Sequence, residues 1–142
     1  MKAETDRFIT EGKETYGKTI QERYRLFAYL DTQQITHAYA AADLVVSRAG
    51  AGSIFELAQL GKPVIVIPLE SAAGNHQVAN AIEFSKSGAS LLEGANMTTH
   101  ILQNQIESLL EPQKYQEVSA RIKNFSTPNA AEDIASALLA VL

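Results

Sequence analysis

Residues 42–68 read ADLVVSRAGAGSIFELAQLGKPVIVIP, which describes an apolar strand, a glycine-rich turn, a helix and a second apolar strand in that order. The run Val64–Pro68 is apolar and mostly β-branched, as a strand buried on both faces of a sheet would be. Gly61-Lys62-Pro63 is typical of a helix end, because glycine readily takes the left-handed conformation there and proline cannot continue the helix. This order of elements predicts right-handed crossovers and a parallel sheet with helices on both faces.

The alternation of strands and helices continues on both sides of this segment. Upstream, residues 24–30 predict a strand and residues 33–41 a helix, and another helix is predicted around residues 4–14. Downstream, a helix ends at Gly88, residues 89–92 form a short strand, and the remaining chain has helical spacing of apolar residues. We therefore predict an α/β fold, with a Rossmann-like parallel sheet flanked by helices.

The composition is that of one globular domain, and residues 1–142 are interpreted as a single domain. The net charge of −4 gives no electrostatic support for nucleic-acid binding, and the absence of cysteine excludes disulfides and thiolate metal sites. The N-terminus is polar where a signal peptide needs an apolar run, and no segment approaches the roughly 20 apolar residues of a membrane span. We expect a cytoplasmic protein whose contact with a membrane, if any, is peripheral and at its inner surface.

In open parallel sheets the ligand lies beyond the carboxyl ends of the strands, which selects two loops here. They are residues 48–52 and residues 69–74, and each of them follows a predicted strand and precedes a predicted helix. Candidate functional residues are therefore expected in these two loops and in the first turns of the helices that follow them.

The first loop offers small residues and a helix start. Gly50, Ala51 and Gly52 allow a ligand to approach the backbone, and a helix beginning at Ser53 would point its first amides at a phosphate without a metal. Ser53 and Glu56 also have the spacing of a capping box, in which the two side chains bond the first amides of the helix. Arg48 could neutralise a diphosphate or pair with a carboxylate. The sequence leaves both alternatives open at each position.

The second loop leads into the run Asn75-His76-Gln77. Asn75 is a favourable N-cap residue, and His76 and Gln77 lie in the first turn, where they could reach a ligand or simply be solvated. No Asp-x-Asp pair, nucleophile elbow or histidine cluster occurs in the sequence. We expect neither a metal site nor a cofactor.

These motifs together resemble the donor site of the MurG-type glycosyltransferases. The similarity is carried by residues 38–56, residues 60–69, Asn75-His76-Gln77 and Asn80-Ala81, and it covers residues 24–93 closely. The resemblance implies a GT-B enzyme, in which two Rossmann-like domains hold a UDP-sugar mainly through the C-terminal one. The chain would correspond to that C-terminal half, without the first strand that the family normally has there.

Roles for individual residues follow from the resemblance. Glu56 would accept hydrogen bonds from the ribose hydroxyls, residues 51–53 would contact the diphosphate, and Leu30 would flank the uracil. His76 and Gln77 would meet the hydroxyls of the sugar. The donor-binding residues implied are Leu30, Arg48, Gly50, Ala51, Gly52, Ser53, Glu56, His76 and Gln77.

The reaction that the resemblance implies is an inverting, metal-independent transfer from UDP-N-acetylglucosamine to a lipid-linked acceptor, as in peptidoglycan precursor synthesis. The general base of the family belongs to an N-terminal, acceptor-binding domain. We therefore expect no catalytic residue in this chain, no turnover by the chain alone, and an acceptor-binding domain or subunit as its partner. The alternative is a non-catalytic split subunit, or a truncated scaffold, that needs a membrane-anchored partner for activity.

Overall fold

The computed structural model describes residues 23–69 and 75–141, within two compact units that comprise residues 1–36 and residues 37–142. The described part contains six α-helices and three short strands. The helices are α1 (Thr32–Ala41), α2 (Ala51–Leu60), α3 (His76–Ser85), α4 (Thr99–Leu110), α5 (Pro112–Lys123) and α6 (Ala130–Leu139), and the strands are β1 (Val45–Ser47), β2 (Val64–Val66) and β3 (Ser90–Leu91). A 3₁₀ turn, Gly94–Asn96, follows β3.

The three strands form one parallel sheet in the order β1-β2-β3. Val45 pairs with Val64 at the start of the first ladder, and Ile65 pairs with Ser90 at the start of the second. Parallel neighbours cannot be joined by a tight turn, so α2 connects β1 to β2 and α3 connects β2 to β3. The predicted α/β architecture is therefore confirmed, with each strand shorter than predicted.

The core of the second unit lies around the central strand. All three residues of β2 are buried, and they pack in one cluster with the inward faces of the surrounding helices. The side chains of this cluster come from α2 (Ile54, Leu57, Ala58), α3 (Ala81, Phe84), α4 (Leu109) and α5 (Val118, Ile122). Each large apolar side chain buried in this way contributes about 1.5–3 kcal/mol, so this cluster is what holds β1, β2 and α2 in place around the first site loop.

The helix α2 ends as predicted, at the glycine before β2. Gly61 adopts the left-handed conformation (φ 59°, ψ 40°), and its amide donates to the carbonyl of Ala58. Lys62 then extends its ammonium to the carbonyls of Tyr39, Ala40 and Ala42 at the end of α1. A cation at a helix C-terminus complements the partial negative charge of the unpaired carbonyls. This lysine therefore ties α1 to the sheet.

The predicted strand at residues 24–30 is wrong. These residues form no strand, and Leu26, Phe27 and Tyr29 are largely exposed. A strand is stable only beside another strand, and the three-stranded sheet does not include this segment. The helix predicted around residues 4–14 lies outside the described residues, as do residues 70–74 of the second loop. The interpretation of residues 1–142 as a single domain stays a prediction.

Candidate functional site

The glycine-rich corner, residues 48–52, lies where β1 leads into α2. Within this corner Ala49 is fully buried. Gly50 is the N-cap residue of α2 in an extended conformation (φ −68°, ψ 141°), with no side-chain cap. The first intrahelical bond runs from the Ile54 amide to the Gly50 carbonyl at 3.0 Å. The amides of the three residues before Ile54 therefore have no intrahelical acceptor and point out of the helix end.

The capping-box interpretation of Ser53 and Glu56 is wrong. The helix begins at Ala51 and not at Ser53, so Ser53 is the third helical residue and cannot be the N-cap. Within the described part of the chain, neither the Ser53 hydroxyl nor the Glu56 carboxylate makes a hydrogen bond or ion pair. A ligand would thus compete with no protein partner for these two side chains.

Glu56 lies on the exposed side of α2, near a tyrosine of α1. Burial, and secondly the Glu56 carboxylate, raise the pKa of the Tyr39 phenol above its ordinary value. Tyr39 therefore remains protonated at neutral pH and contributes no negative charge beside Glu56. The sequence predicted only a helix over residues 33–41, because the proximity of Tyr39 to Glu56 joins two different helices and leaves no local signal.

Arg48 makes no ion pair with a carboxylate among the described residues, and its predicted contact with a diphosphate stays a prediction. Its Nη1 atom donates to the carbonyl of Ile67 at 3.1 Å and to the carbonyl of Pro68 at 3.3 Å. Both carbonyls belong to the strand-end loop, residues 67–69, which continues β2. The prediction that Arg48 pairs with a carboxylate is wrong, because its guanidinium donates instead to two backbone carbonyls at the end of the neighbouring strand.

The start of α3 is only partly a solvated helix end. Asn75 is the N-cap residue as predicted, but it is left-handed (φ 53°, ψ 21°) and its side chain makes no capping bond. His76 is exposed, whereas the Gln77 side-chain oxygen accepts a hydrogen bond from the Leu69 amide at 3.0 Å. Gln77 thus holds the strand-end loop with its oxygen, and its amide nitrogen is the group that could donate to a ligand.

Asn80 is a site residue to which the sequence analysis gave no role. Its side-chain nitrogen donates to the carbonyl of Ala49 at 3.2 Å, which ties α3 to the glycine-rich corner. The available signal was spacing, since Asn80 follows Gln77 by three residues and both therefore lie on one face of α3. The identity of its partner, 31 positions earlier in the chain, could not be read from that spacing.

The structure brings most of the predicted site residues to one edge of the sheet. Because β1 and β2 are parallel neighbours, the glycine-rich corner and the strand-end loop leave the sheet side by side. Leu30 belongs to the other unit, in a segment without strand structure, and its role beside the uracil stays a prediction. No group of three or more potential metal-ligating side chains occurs within residues 23–69 and 75–141.

The sequence is similar to a defined family over most of its length. Residues 4–136 match the profile of the glycosyltransferase family 28 C-terminal domain. A Flavobacterium psychrophilum protein named UDP-N-acetylglucosamine–N-acetylmuramyl-(pentapeptide) pyrophosphoryl-undecaprenol N-acetylglucosamine transferase is 38% identical over 121 residues, which are 84% of this chain and 32% of the relative. A protein of the same name from Geobacillus kaustophilus is 40% identical over 125 residues, which are 86% of this chain and 33% of the relative.

The fold is similar to that of a solved structure. The crystal structure of Acinetobacter baumannii MurG matches with a TM-score of 0.68 and 27% sequence identity, over 79% of this chain and 32% of that chain. The chain thus spans about a third of the length of the relatives it matches.

Proposed function

Since the chain belongs to the glycosyltransferase family 28 C-terminal domain family, we propose that it binds a UDP-sugar at the edge formed by the glycine-rich corner and the start of α3. The observation that carries the proposal is the uncapped N-terminus of α2, where a glycine replaces the usual side-chain cap. The partial positive charge of a helix N-terminus stabilises an anion placed there. A nucleotide diphosphate is such an anion.

The side chains around the corner support a nucleotide rather than a simple phosphate. Glu56 lies one turn along α2 from the corner and is exposed. A carboxylate has two acceptor oxygens, which suit the two neighbouring hydroxyls of a ribose. We assign the diphosphate to the amides of residues 51–53 and the Ser53 hydroxyl, and the sugar to His76 and the side-chain nitrogen of Gln77.

The names of the relatives support UDP-N-acetylglucosamine as the donor and a pyrophosphoryl-undecaprenol intermediate as the acceptor of the complete enzyme. In the proposed reaction an acceptor hydroxyl attacks the anomeric carbon from the face opposite to UDP, so the configuration inverts as UDP departs. The helix amides stabilise the negative charge that develops on the leaving diphosphate, and we propose that no metal is required for this.

We propose an acceptor-binding domain or subunit as the partner of this chain. Two observations support it: the relatives are about three times as long, and α6 exposes an apolar face. Ile134, Leu138 and Leu139 of that helix are 61%, 63% and 71% exposed. Apolar side chains clustered on one exposed helix are typical of a surface that another protein covers.

Within residues 23–69 and 75–141, no helix combines the length and the apolar composition that a membrane span needs.

An isotope-edited NMR titration of the chain tests the donor site. We expect UDP-N-acetylglucosamine and UDP to shift the amide signals of residues 50–56, and the sugar nucleotide alone to shift those of His76 and Gln77. GDP has the same diphosphate and ribose but a different base, so it is the control that shows whether these shifts depend on the uracil. Unmoved signals at residues 50–56 with saturating UDP-N-acetylglucosamine would rule out the proposed site.

A further inference from the structure

We propose that Arg48 is a positioning residue that braces the strand-end loop against the glycine-rich corner, and that it thereby controls recognition of the donor sugar without binding the diphosphate. The inference rests on the proposed UDP-sugar function and extends it. Arg48 is the one cationic side chain of the glycine-rich corner. Without further information, phosphate binding would be the simplest role to assume for it.

The Arg48 side chain is directed toward the neighbouring strand. Arg48 leaves the end of β1 and its Nη1 atom bonds the carbonyls of Ile67 and Pro68, which are 19 and 20 positions later in the chain. Residues 66 and 47 are paired in the sheet, so the arginine continues the link between β1 and β2 beyond the last pair of the ladder. A guanidinium has several donors in a fixed plane, which suits it to holding two carbonyls at once.

The braced loop is also bonded to Gln77. The next residue, Leu69, donates its amide to the side-chain oxygen of Gln77, the residue assigned to the sugar. Arg48 and Gln77 therefore hold the same peptide group, the one between Pro68 and Leu69, through its carbonyl and its amide. The two groups point in opposite directions because the peptide is trans. If Arg48 fixes the carbonyls of residues 67 and 68, it also fixes the amide that orients Gln77.

The glycine-rich corner has an anchor of its own. Asn80 holds the Ala49 carbonyl at 3.2 Å, and Ala49 is fully buried. The corner, and with it the amides of the α2 N-terminus, therefore keeps its position when Arg48 is removed. Loss of Arg48 should disturb the sugar-facing side of the site much more than the diphosphate-facing side.

The test compares Arg48→Gln with Arg121→Gln. Arg121 is a matched control, because its guanidinium also donates to a backbone carbonyl, that of Lys86 at 3.1 Å, but on α5 and away from both loops. Calorimetric titrations give dissociation constants for UDP and UDP-N-acetylglucosamine at two salt concentrations. In Arg48→Gln we expect UDP affinity to change less than about twofold, and the ratio of the two dissociation constants to shift about fivefold against the sugar nucleotide, as loss of one neutral hydrogen bond between Gln77 and the sugar would cause.

A direct contact with the diphosphate gives a different result. Affinity for UDP and for UDP-N-acetylglucosamine would then fall together by about tenfold or more, the ratio would stay constant, and the salt dependence of UDP binding would weaken. That outcome would overturn the proposal. Arg121→Gln should leave all three quantities unchanged.

Hydrogen exchange of the ligand-free chain tests the brace independently of any nucleotide. We expect the Leu69 amide to exchange about tenfold faster in Arg48→Gln, with Ile65 and Val66 unchanged, because local opening needs only the loop to detach. Equal exchange of the Leu69 amide in Arg48→Gln and Arg121→Gln would overturn the brace. If the wild-type chain binds neither UDP nor the sugar nucleotide, the proposed function fails, and this measurement alone then decides whether Arg48 holds the loop.

Discussion

Replacing Glu56 with alanine is expected to weaken UDP binding by about 10- to 100-fold while the free energy of unfolding changes by less than about 0.5 kcal/mol. A hydrogen bond to a charged acceptor is worth about 1.5–3 kcal/mol when it is lost, and about 1.4 kcal/mol corresponds to tenfold in affinity. Stability is preserved because Glu56 is exposed and caps nothing, so its removal leaves no protein group without a partner. Alanine is also at least as good a helix former as glutamate.

Calorimetry with UDP and thermal denaturation of the ligand-free variant measure the two quantities. Glu56→Gln should lie between the wild type and Glu56→Ala, since the amide keeps one acceptor oxygen. Glu107→Ala on α4 is the control for the binding measurement, and we expect it to bind UDP as the wild type does; its stability is not compared, because Glu107 accepts a hydrogen bond from Gln103. A stability loss of about 1 kcal/mol with unchanged UDP affinity would instead identify Glu56 as a structural residue.

The second large effect is expected at Gly52, where a carboxylate can be introduced without disturbing the protein. Apart from the adjacent residues and the backbone of its own helix, a Cβ atom at this position would meet no heavy atom within 4 Å. Gly52 is the second residue of α2, so an aspartate there would be favoured by the positive helix end by about 0.3–1 kcal/mol. The same carboxylate would repel a diphosphate held by the neighbouring amides. Two unit charges about 5 Å apart interact by about 3 kcal/mol at a protein surface.

We therefore expect Gly52→Asp to unfold at the same temperature as the wild type or higher, and to bind UDP at least about 50-fold more weakly. Gly52→Asn is the matched control, because asparagine has nearly the same shape without the charge. Affinity that falls equally in both variants would indicate a steric effect. Unchanged UDP binding in Gly52→Asp would show that the diphosphate does not lie at the N-terminus of α2.

The fold was predictable where one local pattern and its tertiary environment agree. The apolar run of β2 can be buried only between two layers, and Gly61 ends α2 in the conformation that glycine favours. Residues 24–30 show the reverse case. Their aromatic and apolar side chains favour a strand locally, but a strand forms only where a neighbour supplies the second half of its hydrogen bonds, and the local sequence does not show that neighbour.

The site was predictable in position but not in its internal contacts. Ser53 and Glu56 have capping-box spacing, yet the helix starts earlier, because Gly50 supplies the extended N-cap and Ala51 continues directly into the first turn. The bonds that Arg48 and Asn80 make depend on which strands are neighbours and on how α3 lies across the corner. Such long-range contacts between a side chain and the backbone leave no periodic signal in the sequence.

A crystal structure of the chain with UDP-N-acetylglucosamine most directly tests whether α2 presents its first amides to a nucleotide. We predict diphosphate oxygens within about 2.7–3.2 Å of amides in residues 51–53, and the ribose hydroxyls at the same range from the Glu56 carboxylate. A nucleotide bound elsewhere, or bound at this edge with its diphosphate turned away from the helix and its ribose away from Glu56, would contradict the account.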